Sequence, residues 1–348
     1  MLYTFSRHFS VSPNYVPTMC PNYVPTMCHP FSLAQTLLVS SPMSRPIRFM
    51  PSPDTMFEVT TRTMQSRLLM RPSPELNSII LGVIGKALTI YNVQLYLFVF
   101  LSNHYHMLVS ALDFFELSRF MNHINSNIAR EIAILHNWHD SFWSRRFSAI
   151  PVLDDESMLD RARYIISHGC KEGLVSNPGD WPGINCVSAL TKGSPLVGKW
   201  INRTKMYADS RNTIGVQPES VYTTEYRVDI SPLPLWADLS DAARQAKWKQ
   251  LVEDVTLKHR KEQVLGIKTI LSQDPHSKPV STKRSPRPFC HAVKKAIETE
   301  YREAYRSFVG AFREAFGSLL DGHVRSFEHF PECYIPPFAY RRPALAPG

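Results

Sequence analysis

The sequence predicts an α+β protein: an antiparallel sheet flanked by helices, with a mainly helical C-terminal extension behind it and a disordered N-terminal tail before it. Three observations carry that expectation. Between residues 56 and 190, short apolar or β-branched runs alternate with segments whose apolar residues recur at helical spacing. The order of these segments opens strand, helix, strand, strand. The first 52 residues follow neither period and are rich in Pro, Ser and Met.

The tail carries the octapeptide PNYVPTMC twice, at residues 13–20 and 21–28. Two copies of eight residues are too few to stack into a solenoid. From Met56 the pattern turns regular. Residues 57–63 alternate and are β-branched, as a half-buried strand requires. Ser73 then offers an N-cap with Pro74 at the first helical position. Leu76, Ile79, Ile80, Val83, Ile84 and Leu88 form the stripe of a helix that reaches about residue 90. Residues 93–101 read as a buried strand, Ser102 and Asn103 as a break, and the next strand continues to Ser110. This order is the opening of a ferredoxin-like sheet.

Asp113 starts a long helix whose apolar stripe runs from Leu117 to Leu135. Its polar side, including Arg119, is either a solvated face or a DNA contact. Residues 138–147 concentrate rings and cations, among them Trp143, Arg145 and Arg146. Such a mixture suits stacked bases and phosphates, or anchors in a core. Residues 149–153 form a further strand, and Asp154 and Asp155 open a helix through Ile166 that Gly169 and Gly173 end. Domain organisation follows: a tail over 1–52, the α+β domain over 53–195, and a basic extension over 196–348. That extension holds a basic stretch at 197–215 without a catalytic constellation and a helix capped by Ser240 to about residue 263. A flexible basic linker at 278–287 and a helix with an aromatic stripe across 290–320 follow. The proline-bearing end, 330–348, is extended.

A net charge of +9 over 348 residues favours a polyanionic partner, nucleic acid first. Lys86, Asn92 and Gln94 interrupt the most hydrophobic region, so nothing reaches the ~18 apolar residues of a membrane span. The N-terminus has no apolar block of signal-peptide length before its first prolines. Six cysteines lie scattered without CxxC spacing. That usage suits a reducing cytoplasm and supports neither a zinc knuckle nor a disulfide framework.

The chemistry is concentrated at residues 103–109, NHYHMLV. Successive strand side chains point to opposite faces, so His104 and His106 share one face and converge as a candidate metal pair. A pair of partly exposed strand histidines is the structural alternative. On the helix that follows, Tyr164 and His168 are four residues apart and also share a face. Arg62, at the end of the first strand, is a further candidate for DNA contact.

In chain order, NHYHMLV at 103–109, LSRFM at 117–121, FWSRRF at 142–147, RYI at 163–165, GLV at 173–175 and DWP at 180–182 together resemble the single-tyrosine HUH transposases. Within them, the IS200-like, REP-associated branch is the nearest likeness, over about residues 56–190. The extension is similar to that of an enlarged subgroup. The resemblance implies the ferredoxin-like HUH fold and a divalent Mg²⁺ or Mn²⁺ held by His104, His106 and a polar ligand from the tyrosine helix. It implies Tyr164 as the nucleophile that cleaves and rejoins single-stranded or hairpin DNA through a 5′-phosphotyrosine. Work in the cytoplasm, away from membranes, fits; family members act as monomers or dimers, so a homodimer is one expectation. One departure stands out. The family pattern Tyr-Ile-x-x-Asn-Pro-Val is replaced by Tyr164-Ile165-Ile166-Ser167-His168-Gly169-Cys170, which makes His168 the candidate third ligand. Two other classes compete: a domesticated or inactive hairpin-binding protein that keeps the fold, and a metal-dependent hydrolase of small substrates. The latter needs repeated βα units that this order of elements lacks.

Overall fold

A computed structural model describes residues 48–212, 215, 217–279 and 287–320. The expectations for residues 1–47, for most of the 278–287 linker and for 330–348 lie outside these residues. Strands β1 (Met56–Arg62), β2 (Val93–Phe100), β3 (His104–Ala111) and β4 (Ser148–Val152) form one antiparallel sheet in the order β2-β3-β1-β4. This is the expected ferredoxin-like arrangement. Helices α1 (Pro74–Leu88), α2 (Phe114–His136) and α3 (Asp155–Lys171) flank it.

Strand register sorts the chemistry from the packing. Glu58, Thr60 and Arg62 on β1 stand opposite Leu108, His106 and His104 on β3, so these six share one face of the sheet. The alternate residues, Phe57, Val59, Tyr105, Met107 and Val109, face the other way and are buried under α2. There Phe57 meets Phe114 edge-on at 5.8 Å between centroids, and the Tyr105 hydroxyl donates to Asn125 Oδ1 at 2.8 Å. Each such large apolar side chain taken out of water contributes about 1.5–3 kcal/mol.

Local signals set the helix ends. Ser73, Asp113 and Asp154 each accept a hydrogen bond from the backbone N–H three residues on, at 3.1, 2.7 and 2.7 Å. Asn137, left-handed at φ 51°, closes α2. The expected stop of α3 at Gly169 is not observed. The helix continues to Lys171, and Gly169 lies inside it, where a Cβ would stand 3.1 Å from Val175. The chain turns only at Gly173, at φ 74°.

After α3 come α4 (Val187–Lys192), β5 (Leu196–Ile201), α5 (Arg203–Ser210), β6 (Thr223–Val228), α6 (Asp241–Lys258), α7 (Ile267–Ser272) and α8 (Lys295–Leu320). The stretch at 197–215, whose charge alone drew notice in the sequence, contributes β5, which pairs antiparallel with β6. The helix after Ser240 stops at Lys258 rather than near 263, and α8 begins at Lys295 rather than at 290. Its stripe packs Tyr301 and Phe308 onto Phe49 at 5.6 and 4.8 Å. No helix among the described residues is long and apolar enough to cross a membrane.

The β5–β6 hairpin lies backbone-on-backbone against α1. A Cβ added at Gly82 would run into the Lys199 carbonyl and come within 2.6 Å of Trp200 N, and one at Gly198 would strike the backbone of Gly82 and Ser78. Backbone atoms cannot rotate aside. Gly82→Ala gains up to about 1 kcal/mol of helix propensity but is expected to lose about 2 kcal/mol net, because the whole hairpin must move. A urea midpoint equal to or above that of the parent chain would refute this close contact.

Candidate metal and nucleophile site

β3 ends the loop at Asn103 and presents His104 and His106 toward α3, which lays Arg161, Tyr164 and His168 along one side at intervals of three and four residues. The three histidines are buried, and their ligand nitrogens all lie within 4.8 Å of one another. His104 and His168 meet Nε2 to Nε2 at 2.8 Å. The Tyr164 ring stands 5.5 Å from that of His106 and 5.2 Å from that of His168. Sequence spacing thus placed two pairs correctly, and the fold joins them into one cluster.

Neighbours orient the rings. His104 Nδ1 donates to Asn103 Oδ1 at 2.6 Å, and that amide is held in turn by its own bond to Ser66 O at 3.2 Å. His106 Nδ1 donates to Glu58 Oε1 at 2.8 Å. Both therefore aim an Nε2 lone pair inward, the tautomer that outer-shell acceptors select in metal sites. With His104 Nε2 as acceptor, His168 Nε2 carries the shared proton, and His168 Nδ1 is left buried without a hydrogen-bond partner among the described residues. A divalent cation between the rings would take the place of that shared proton, which His168 Nδ1 is free to carry instead, so the three neutral imidazoles fit a cation bound by His104, His106 and His168.

Electrostatics agree with that donor set. Burial, then repulsion from His168 and His106, pushes the His104 pKa well below its ordinary value. Burial and His106 do the same to His168. At Glu58 burial opposes the charge, but the hydrogen bond from His106 and the contact with His291 outweigh it and hold the carboxyl below the usual carboxylate range. A histidine kept neutral in the fold but free to protonate when unfolded contributes stability that is complete above about pH 6.5 and lost as the pH falls from there. Glu58 adds a loss of the same sign below about pH 4.3. Metal-free protein is therefore expected to hold its melting temperature down to about pH 6.5 and to melt at steadily lower temperature from there to about pH 5. A flat melting temperature between about pH 6.5 and pH 5, read by circular dichroism, would contradict buried neutral rings.

Tyr164 is half-buried. Burial and the Glu58 charge raise its pKa, so the hydroxyl is protonated at neutral pH. Arg161 and Lys171 flank its ring at 4.7 and 4.5 Å.

Of the candidate DNA contacts, Arg62 stands opposite His104 on β1, and its charge reaches His104, Tyr164 and His168. Arg145 and Arg146 are exposed on the loop before β4, which is tied to β1 by Ser144 N donating to Arg62 O at 2.9 Å. Two further cations join them: Arg48 donates to Phe147 O and Arg287 to Ala149 O. Burial, Arg146 and Arg287 push the Arg48 pKa down to about 10. These four guanidinium groups have no carboxylate partner among the described residues. Trp143 is built into the packing instead. Its indole N–H donates to Asn125 O at 2.9 Å, and it meets Tyr105 edge-on. Arg119 sits on α2, across the sheet from the histidines, paired with Glu116.

Sequence reasoning missed Glu58, Arg161 and His291. Glu58 is the acidic residue in a strand otherwise made of Met, Phe, Val, Thr and Arg, which was a usable signal. His291 closes the run Pro288-Phe289-Cys290-His291, part of the likeness of the extension to the enlarged subgroup, but it lies more than two hundred residues from Glu58 and nothing local ties it to the site.

No curated protein matches this sequence. Among solved structures, a REP-associated tyrosine transposase bound to a REP hairpin is 16% identical, with 51% of this chain and 92% of that chain covered and a TM-score of 0.35. A candidate transposase from Deinococcus radiodurans R1 is 12% identical, with 35% and 95% covered and a TM-score of 0.26. Residues 66–168 match the family model described as "Transposase IS200 like", a span that contains His104, His106 and Tyr164 and ends on His168. Over residues 66–168, then, the chain carries a domain similar to the IS200-like transposases.

Proposed function

We propose that this protein is a single-stranded DNA transposase and nicking nuclease that cleaves and rejoins DNA through Tyr164. One observation carries the reading: a tyrosine hydroxyl-bearing ring, flanked by two cations, stands within 5.5 Å of two rings of a buried three-histidine cluster. The Tyr164 oxygen attacks phosphorus and forms the new ester bond. The bond to the 3′-oxygen breaks, that oxygen ends as a free hydroxyl, and the DNA remains attached by its 5′-phosphate. A DNA hydroxyl later reverses the attack, so the bond is conserved without ATP.

His104, His106 and His168 would hold the Mg²⁺ or Mn²⁺, which supplies Lewis-acid polarisation of the phosphate. Hard cations of this kind prefer oxygen, so three imidazoles favour Mn²⁺ in affinity while availability favours Mg²⁺. Arg161 and Lys171 favour the phenolate that Tyr164 becomes. Arg62, Arg145 and Arg146, with Arg48 and Arg287 beside them, give the DNA backbone a path toward the site. In this reading Trp143 is a packing anchor and Arg119 serves no contact near the cut. The work belongs in the cytoplasm.

The test is to incubate the protein with labelled single-stranded hairpin DNA and Mn²⁺ and to look for a covalent protein–DNA adduct on a denaturing gel. An adduct supports the transposase. Binding without an adduct transfers support to a hairpin-binding protein that kept the fold, and absence of binding sinks both.

A further inference from the structure

Outside the span that matches the family, the segment at 287–294 runs back into the site. His291 forms a parallel bridge with Val152, its N–H donating to Pro151 O at 2.8 Å and its carbonyl accepting from Leu153 N at 2.9 Å. Val293 N and Lys294 N both donate to Asp154 Oδ2, at 2.8 and 3.3 Å, on the carboxylate that caps the tyrosine helix. Phe289 packs on Tyr301 and Tyr305 at 5.2 and 4.9 Å. So fixed, the His291 side chain is 10% exposed and its Nε2 lies 2.8 Å from Glu58 Oε2, a close polar contact outside ideal hydrogen-bond geometry.

We propose that His291 is a positioning residue of the metal site, holding Glu58 so that Glu58 holds the ring of His106. The proposal rests on the reading of His104, His106 and His168 as metal ligands. Glu58 divides its oxygens: Oε1 accepts from His106, while Oε2 faces His291 at 2.8 Å and Arg161 only at 3.6 Å. The last torsion of a glutamate is soft and nearly two-fold. Without His291, the closest partner of Oε2 among the described residues is gone, the carboxylate swings, and the lone pair of His106 loses its aim. Outer-shell partners of this kind change metal affinity by about 10–100-fold.

The experiment titrates Mn²⁺ into metal-free full-length protein and follows free Mn²⁺ by electron paramagnetic resonance, at a temperature where circular dichroism shows each variant folded. His291→Phe, which keeps the volume but offers no nitrogen, is expected to weaken binding about 10-fold. His291→Gln, which can still donate to Glu58, is expected to stay within about threefold of the parent. Should the phenylalanine variant fail to fold, His291→Leu is read the same way. Parent-like binding in His291→Phe, or equal weakening in both variants, overturns the inference. His104→Ala distinguishes the two levels. If it abolishes binding while His291→Phe does not weaken it, only the role of His291 falls. If the parent binds no Mn²⁺, or His104→Ala binds as the parent does, the metal-site reading falls and takes this inference with it.

Discussion

Tyr164→Phe is expected to remove the covalent DNA adduct, by on the order of 10⁴-fold or more, while hairpin binding and Mn²⁺ binding stay close to the parent. The substitution deletes one oxygen and leaves the ring, and the ring makes the observed contacts: His106, His168, Arg161 and Lys171 all lie against it. Packing is therefore preserved. Any other nucleophile would have to reach the same phosphate, and no other tyrosine among the described residues packs on the histidine cluster. An adduct of undiminished yield in Tyr164→Phe would remove the proposed chemistry from this residue, whatever became of binding.

His168→Ala is the second large effect. It is expected to weaken Mn²⁺ binding by more than the roughly 10–100-fold that loss of an outer-shell partner brings, and to reduce adduct formation with it. His168 is 4% exposed, meets His104 Nε2 directly and has its other nitrogen unpartnered among the described residues. No other side chain on α3 offers a nitrogen at that place. His168→Asn, which installs the residue the family pattern carries there, is expected to retain more metal than the alanine variant. Equal Mn²⁺ affinity in His168→Ala and the parent, by calorimetry, would exclude His168 from the ligand set.

Most of the sheet was legible because it rests on local rules. Ser73 with Pro74, Asp113 and Asp154 announce their helices in four residues, and the alternation through His104 and His106 fixes which side each ring takes. Tyr164 and His168 were legible as a pair for the same reason. That the two pairs meet was read only through the family resemblance, because strand pairing is a long-range property that periodicity does not contain. The hairpin Leu196–Ile201 with Thr223–Val228 was hidden by its charges, which drew attention away from an ordinary strand alternation. Gly169 misled because a glycine inside a helix is allowed where a neighbour, here Val175, comes close. Glu58 stood out in its strand, but its pairing with His291 lay beyond reach until β1 and the segment before α8 are brought to one place.

That last contact also sets a timetable. The tyrosine helix ends at Lys171, but the His291 that bridges to β4 leaves the ribosome 120 residues later. At about 5–20 residues per second, on the order of ten seconds separate the two events. During synthesis, then, the sheet and its histidines can fold before the segment that braces Glu58 exists, and the centre is finished only once that later segment arrives.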